Sequence, residues 1–94
     1  MKNAIAQRRP ASRHQLLQLT YGRRVRAYLA ARLGRDACHD LVLLLAVRVW
    51  AAVLRRQLPV RGFADLAAVV AAVVTEHYVA ARREVALSRA GGAR

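Results

Sequence analysis

Residues Asp36–Val53 read DACHDLVLLLAVRVWAAV, and this stretch decides the fold. From Leu41 to Leu54 the only charged side chain is Arg48. The run is too long for a typical strand and contains several alanines, so we expect a helix. A helix that is apolar on every side is normally buried on every side. A chain of 94 residues offers little interior for this, so we expect part of the helix to meet a partner.

A first helix is predicted before this stretch. Ser12 is a suitable N-cap, and Gly34 supplies the usual C-terminal stop. Between them, apolar residues recur at steps of three and four, which is the spacing of one helix face. This face consists of Leu17, Tyr21, Val25, Tyr28, Leu29 and Leu33.

The central helix is expected to be capped by Asp36 and to run from about Ala37 to Arg55 or Arg56. A loop over residues 57–62 then leads to a third helix, from about Phe63 or Ala64 to Leu87. Its expected apolar stripe consists of Leu66, Val69, Val70, Val73, His77 and Ala80. The predicted fold class is therefore all-α, a small three-helix bundle over residues 12–87, with a flexible basic arm (1–11) and a flexible tail (88–94).

Charge is distributed unevenly along the chain. The net charge is +12, and 16 of the 17 basic residues are arginine. Residues 1–35 carry nine basic groups and no acid, whereas residues 36–94 carry eight basic groups and five acids. This asymmetry favours a polyanionic partner, either nucleic acid or an anionic surface. The alternative is a solvated basic face on a small soluble protein.

The sequence predicts a cytoplasmic protein. We expect no transmembrane segment, because the apolar runs are interrupted by Arg48 and by Glu76 before they reach about 20 residues. The basic N-terminal residues are not followed directly by an apolar core, which argues against a secretory signal. The single Cys38 is compatible with a reducing compartment.

Catalysis is not predicted. Cys38, His39 and Asp40 are consecutive, so on a helix their side chains would point about 100° apart and could not form a relay. His14 and His77 are isolated, so no metal site is expected, and no glycine-rich phosphate loop is present. We therefore expect a protein that is not an enzyme and that uses no cofactor.

The spacing of residues in the first two helices resembles region 2 of bacterial sigma factors of the extracytoplasmic-function type. That family has an Arg-Leu-Gly stop, then Ala-Glu-Asp-Leu-Val-Gln-Glu, three residues, and Arg-Val/Ala-Trp. The residues that match in register are Asp40, Leu41, Val42, Arg48 and Trp50. In the third helix Ala64, Leu66 and Val69 match, Glu76 replaces an Asp, and Arg82 and Arg83 lie slightly beyond the basic end of the motif.

The resemblance implies two kinds of site. Region 2 binds the largest subunit of RNA polymerase, and it opens and reads the minus-ten promoter element. The segment that faces the polymerase would comprise Asp40, Leu43, Leu44, Arg48 and Trp50. The residues that would contact DNA are Arg61 and Phe63 at the base-capturing loop, and His77, Arg82 and Arg83 on the third helix. On the ground of charge, Arg23 and Arg24 of the first helix join this DNA-binding set.

The chain also departs from the family pattern. Leu43 and Leu44 replace a polar Gln-Glu pair, Asp65 replaces a Trp, and Ala72 replaces an Asn. The family's second DNA-binding domain is not present, so the sequence predicts a lone region-2-like domain. Our first hypothesis is a sigma-factor-like transcription protein that binds RNA polymerase or promoter DNA, or both.

The alternative is a protein-interaction module without promoter recognition. It would act through the apolar second helix, as a homo- or hetero-oligomer or as a decoy for a sigma regulator. A third hypothesis places the basic first helix on an anionic membrane.

Overall fold

The computed structural model describes residues 12–92, which form three α-helices and no strand. Helix α1 spans Arg13–Leu33, α2 spans His39–Arg56 and α3 spans Phe63–Gly92. Each helix packs against the other two. The α1 helix runs in the same direction as α3, since Tyr21 lies near Phe63 and Asp36 lies near Tyr78. The predicted all-α three-helix bundle is confirmed.

The start of α1 follows the prediction. The Ser12 hydroxyl accepts a hydrogen bond from the Gln15 backbone N–H at 3.1 Å, and the Gln15 side chain accepts one from the Ser12 N–H at 2.9 Å. These two bonds form a capping box, which satisfies N–H groups that have no partner within the helix. The helix ends at Gly34, whose φ of +59° favours glycine.

The start of α2 differs from the prediction. Gly34–Asp36 form a short 3-10 turn, and Cys38 is the N-cap, so the helix begins at His39 rather than near Ala37. Asp36 does not cap α2, because its carboxylate accepts a hydrogen bond from Tyr78 of α3. A long-range bond has therefore replaced the local one that the sequence favoured.

The end of α2 uses a residue that the sequence does not mark as a stop. Gln57 adopts a left-handed conformation with φ of +51°. The Leu58 N–H then reaches back to the Val53 carbonyl at 3.1 Å, which closes the last turn. The loop over residues 57–62 lies where it was predicted.

The core forms where the buried faces of the three helices meet. Leu29, Leu45 and Leu66, one from each helix, are fully buried. The other buried side chains are mostly valines. The stripe predicted for α3 is buried from Leu66 to Val73, but Ala80 is exposed, which corrects that part of the prediction.

Helix α3 is much longer than its partners. Its 30 residues span about 45 Å, and beyond Tyr78 nearly every residue is exposed. It reaches Gly92, past the predicted end at Leu87. Residues 88–92 of the predicted tail are thus helical, whereas the predicted arm (1–11) and residues 93–94 lie outside the described residues.

Candidate functional site

A cluster of aromatic rings and an arginine joins α1 to the start of α3. The ring of Phe63 lies 6.2 Å from the Tyr21 ring and 5.8 Å from the Tyr28 ring, centroid to centroid. The Tyr28 ring meets Phe63 edge to face, at 80°. The guanidinium carbon of Arg24 lies 4.3 Å from the Phe63 centroid, within the range of a cation–π interaction. Phe63 itself is only partly buried.

The same face continues along α1 toward Arg32. The Arg32 Nη1 atom donates a hydrogen bond to the Tyr28 hydroxyl at 3.4 Å, and its guanidinium carbon lies 5.7 Å from the Tyr28 centroid. Arg24, Tyr28 and Arg32 recur every four residues, so they form one row on the helix. Charge and aromatic surface therefore alternate along this row.

Beyond Arg32 the face crosses to α3. Arg32 and Arg82 line the same surface groove, of about 340 Å³, together with Tyr78 and Thr75. Arg89 lies about two turns beyond Arg82 on α3, in a depression that Arg82 also lines. We call the surface from Arg24 to Arg82 the basic–aromatic face, and it consists of Arg24, Tyr28, Arg32, Phe63, Tyr78 and Arg82.

Tyr78 ties this face to the turn after α1. Its hydroxyl donates a hydrogen bond to Oδ2 of Asp36 at 2.6 Å. This bond, with lesser contributions from burial and from the Asp36 charge, raises the pKa of the Tyr78 hydroxyl above its ordinary value of 10.0. Tyr78 is therefore neutral at physiological pH, and it partly shields the Asp36 charge at the edge of the face.

The structure separates the residues predicted to bind DNA. Arg24, Phe63 and Arg82 lie on the basic–aromatic face. Arg23 is exposed beside Arg24 but does not line the groove, and Arg83 lines a different depression with Glu76 and Glu84.

Arg61 and His77 have local roles. The Arg61 backbone N–H donates to Oδ2 of Asp65 at 2.8 Å, so Asp65 orders the entry to α3 while the Arg61 side chain remains exposed. His77 is half-buried, with its ring 5.3 Å from that of Tyr78, as expected for a histidine at the edge of the core.

The second predicted site, on α2, shows an exposed apolar surface. Leu43 is 40% exposed, Leu44 48%, Val47 65% and Leu54 60%, whereas Leu45 is fully buried. The spacing of the exposed residues places them on one side of α2. We call these four residues the apolar stripe. The helix is therefore not buried on every side, as expected for a chain of this size, and Val47 and Leu54 extend the surface that the sequence had limited mainly to Leu43 and Leu44.

The other residues predicted for docking have different surroundings. Asp40 is exposed in the first turn of α2. Trp50 is partly buried against the core, and its ring meets His14 of α1 edge to face at 5.9 Å. Arg48 lines a groove between α2 and α3 that also contains Glu76.

The three consecutive residues that were considered for catalysis lie at the surface. Cys38, His39 and Asp40 are exposed at the start of α2. Within residues 12–92, no three side chains of His, Cys, Asp or Glu lie close enough together to hold a metal ion.

Helix α3 is long and apolar enough to cross a membrane, by length and composition only. The apolar span is Phe63–Ala90, and 28% of its most apolar part is buried in the bundle. A core helix of a soluble protein meets the same criteria, so the absence of a transmembrane segment stays a prediction.

Comparison of this chain with known proteins gives no match to a family model, to a curated protein or to a solved structure. The resemblance to sigma region 2 therefore rests on the residues that match its motifs.

Proposed function

We propose that this protein is a sigma-factor-like transcription protein that binds single-stranded nucleic acid on its basic–aromatic face. The observation that carries the proposal is the position of the Arg24 guanidinium over the Phe63 ring, which also meets the Tyr28 ring edge to face and the Tyr21 ring at a tilt. The resemblance to sigma region 2 points to the same residue, because Phe63 lies at the position of the base-capturing loop.

The chemistry of the face suits single strands. Every base has an aromatic face, so exposed aromatic rings stack on unpaired bases with little sequence preference, at about 1–3 kcal/mol per base. The arginines between the rings supply donors and positive charge for phosphates. Arg24, Arg32 and Arg82 are all exposed, so they are available for these contacts.

Fluorescence anisotropy with a labelled oligonucleotide tests this proposal. The probes are a single strand, a duplex of the same length and an abasic single strand that has the same charge. We expect the intact single strand to bind at least about five-fold more tightly than the abasic strand, because only the former can stack on Phe63. Equal affinity for the two strands would overturn the proposal, since charge alone would then explain the binding.

The apolar stripe on α2 favours a second function, docking onto another protein. Four large apolar side chains are exposed on one helix face, and contiguous apolar surface of this kind is typical of protein interaction sites. By the sigma resemblance, the partner is the largest subunit of RNA polymerase or a regulator of sigma factors. The alternative is a homo-oligomer that buries the stripe between two copies.

Two measurements separate these partners. Val47→Gln and Leu54→Gln change exposed positions, so both variants should fold as the wild type does. If the stripe binds polymerase, the double variant loses capture by purified RNA polymerase, and the wild type sediments as a monomer. If the stripe joins two copies, the wild type sediments as a dimer and the double variant as a monomer.

A further inference from the structure

A second basic groove lies between α2 and α3, apart from the basic–aromatic face. Arg48, Arg55 and Arg56 of α2 form its rim, and Ala52 and Ala72 are among the small residues that line it. All three arginines are exposed. The groove measures about 270 Å³. Because the basic–aromatic face follows α1 and the other side of α3, the two surfaces are separate.

The groove has the size and charge for phosphate groups. Pockets for whole small molecules usually measure about 300–1,000 Å³, so this groove is at or below the lower limit of that range. Three arginines and one acid, Glu76, give its lining a net charge of +2. The lining contains no aromatic ring, so the groove offers nothing on which a base could stack. These properties suit the backbone phosphates of a nucleic acid rather than its bases.

From these observations we infer that the protein bridges two nucleic-acid segments, with a single strand on the basic–aromatic face and the phosphate backbone of a duplex in the α2–α3 groove. The inference rests on the proposed single-strand binding. It assigns Arg48 to phosphate contact, although the sigma resemblance placed this residue in a polymerase-facing segment.

A purely structural role for the arginines makes a different prediction. Arg55 and Arg56 lie in the last turn of α2, where positive charge stabilises the helix dipole. That role does not involve Glu76 of α3. If the groove holds phosphate, however, Glu76 repels the ligand, and Glu76→Gln strengthens duplex binding several-fold.

A two-step capture experiment tests the inference. A single-stranded oligonucleotide is fixed to beads, the full-length protein is bound and washed, and a fluorescent duplex is then added. The protein and the duplex retained on the beads are measured separately. We expect the wild type to retain duplex. Arg48→Gln with Arg55→Gln should leave the retained protein unchanged and weaken duplex binding roughly 60-fold at about 0.1 M salt, since two phosphate contacts are lost.

Arg23→Gln with Arg26→Gln is the matched control, because it removes the same charge from exposed positions of α1. This control should retain nearly as much duplex as the wild type. Duplex retention by the Arg48 and Arg55 variant at the wild-type level would overturn the inference. That result is expected if two protein molecules together bridge the single strand and the duplex, each through its basic–aromatic face. If the protein itself does not stay on the beads, the proposed single-strand binding fails, and the inference fails with it.

Discussion

Tyr78 of α3 donates a hydrogen bond to Oδ2 of Asp36 at 2.6 Å, across 42 residues of sequence. The bond fixes the turn after α1 against α3 at the point where α3 leaves the bundle. Because it raises the pKa of Tyr78 in the folded state above the ordinary value of 10.0, its stabilising effect is complete below about pH 10 and is lost as the pH rises through the folded pKa.

We therefore expect Tyr78 to ionise at a higher pH than an ordinary tyrosine does. Ultraviolet titration of tyrosinate measures this directly. Tyr78→Phe should remove the ionisation step that lies above the ordinary value, and Asp36→Asn should move that step toward the ordinary value. A raised step that persists in Asp36→Asn would show that the bond does not control this pKa.

Phe63→Leu should weaken single-strand binding by about five- to 150-fold, because the leucine keeps an apolar contact but cannot stack on a base. Phe63→Tyr keeps the ring and should retain the wild-type affinity. Anisotropy gives the affinities, and thermal melting checks that both variants fold. An affinity that is the same in all three proteins would exclude Phe63 as a stacking residue.

Truncation of two adjacent leucines on α2 should have very different effects on stability. Leu45 is fully buried, so Leu45→Ala should lower the free energy of unfolding by about 2–5 kcal/mol. Leu44 lies on the apolar stripe, so Leu44→Ala should change it by about 0.5 kcal/mol or less. Urea denaturation measures both values. Similar losses in the two variants would mean that the described orientation of α2 is wrong.

Substitutions at the two residues with positive φ should change the free energy of unfolding in opposite directions. Gly34→Ala places a side chain at φ +59° and should cost about 1–3 kcal/mol, although a Cβ atom there meets no other atom within 4 Å. Gln57→Gly relieves the left-handed strain at φ +51°, but glycine also makes the unfolded chain more flexible. With that entropic cost subtracted, the variant should be more stable by roughly 0.5–1 kcal/mol. Urea denaturation of the two variants would contradict these assignments if the changes had the same sign.

Local signals in the sequence predicted most of the fold. The Ser12 cap, the Gly34 stop, the apolar face of α1 and that of α3 from Leu66 to Val73 depend on neighbouring residues, and the structure has them where they were expected. The prediction is wrong where a distant contact or an unusual backbone conformation determines the start or the end of a helix. Asp36 bonds to Tyr78 instead of capping α2, and Gln57 ends α2 without a glycine.

The candidate site was less predictable from the sequence. Arg23 and Arg24, and likewise Arg82 and Arg83, are neighbours with the same charge, so composition cannot separate them. Only the packing of α1 beside α3 turns Arg24 onto Phe63 and brings Arg82 into the groove with Arg32. Tyr28 had been assigned to the apolar face of the first helix, and its helical spacing gave no sign of a second role.

These neighbouring pairs provide the most direct test of the basic–aromatic face. The measurement is the affinity for a single-stranded oligonucleotide as a function of salt, for Arg24→Gln with Arg82→Gln and for Arg23→Gln with Arg83→Gln, which have the same net charge. The first variant should bind roughly 25-fold more weakly at about 0.1 M salt, because two phosphate contacts are lost. For the same reason, the slope of log affinity against log salt concentration should be shallower by about 1.4. The second should bind nearly as the wild type does. Equal losses in the two variants would contradict the proposal, because binding would then depend on total charge and not on this face.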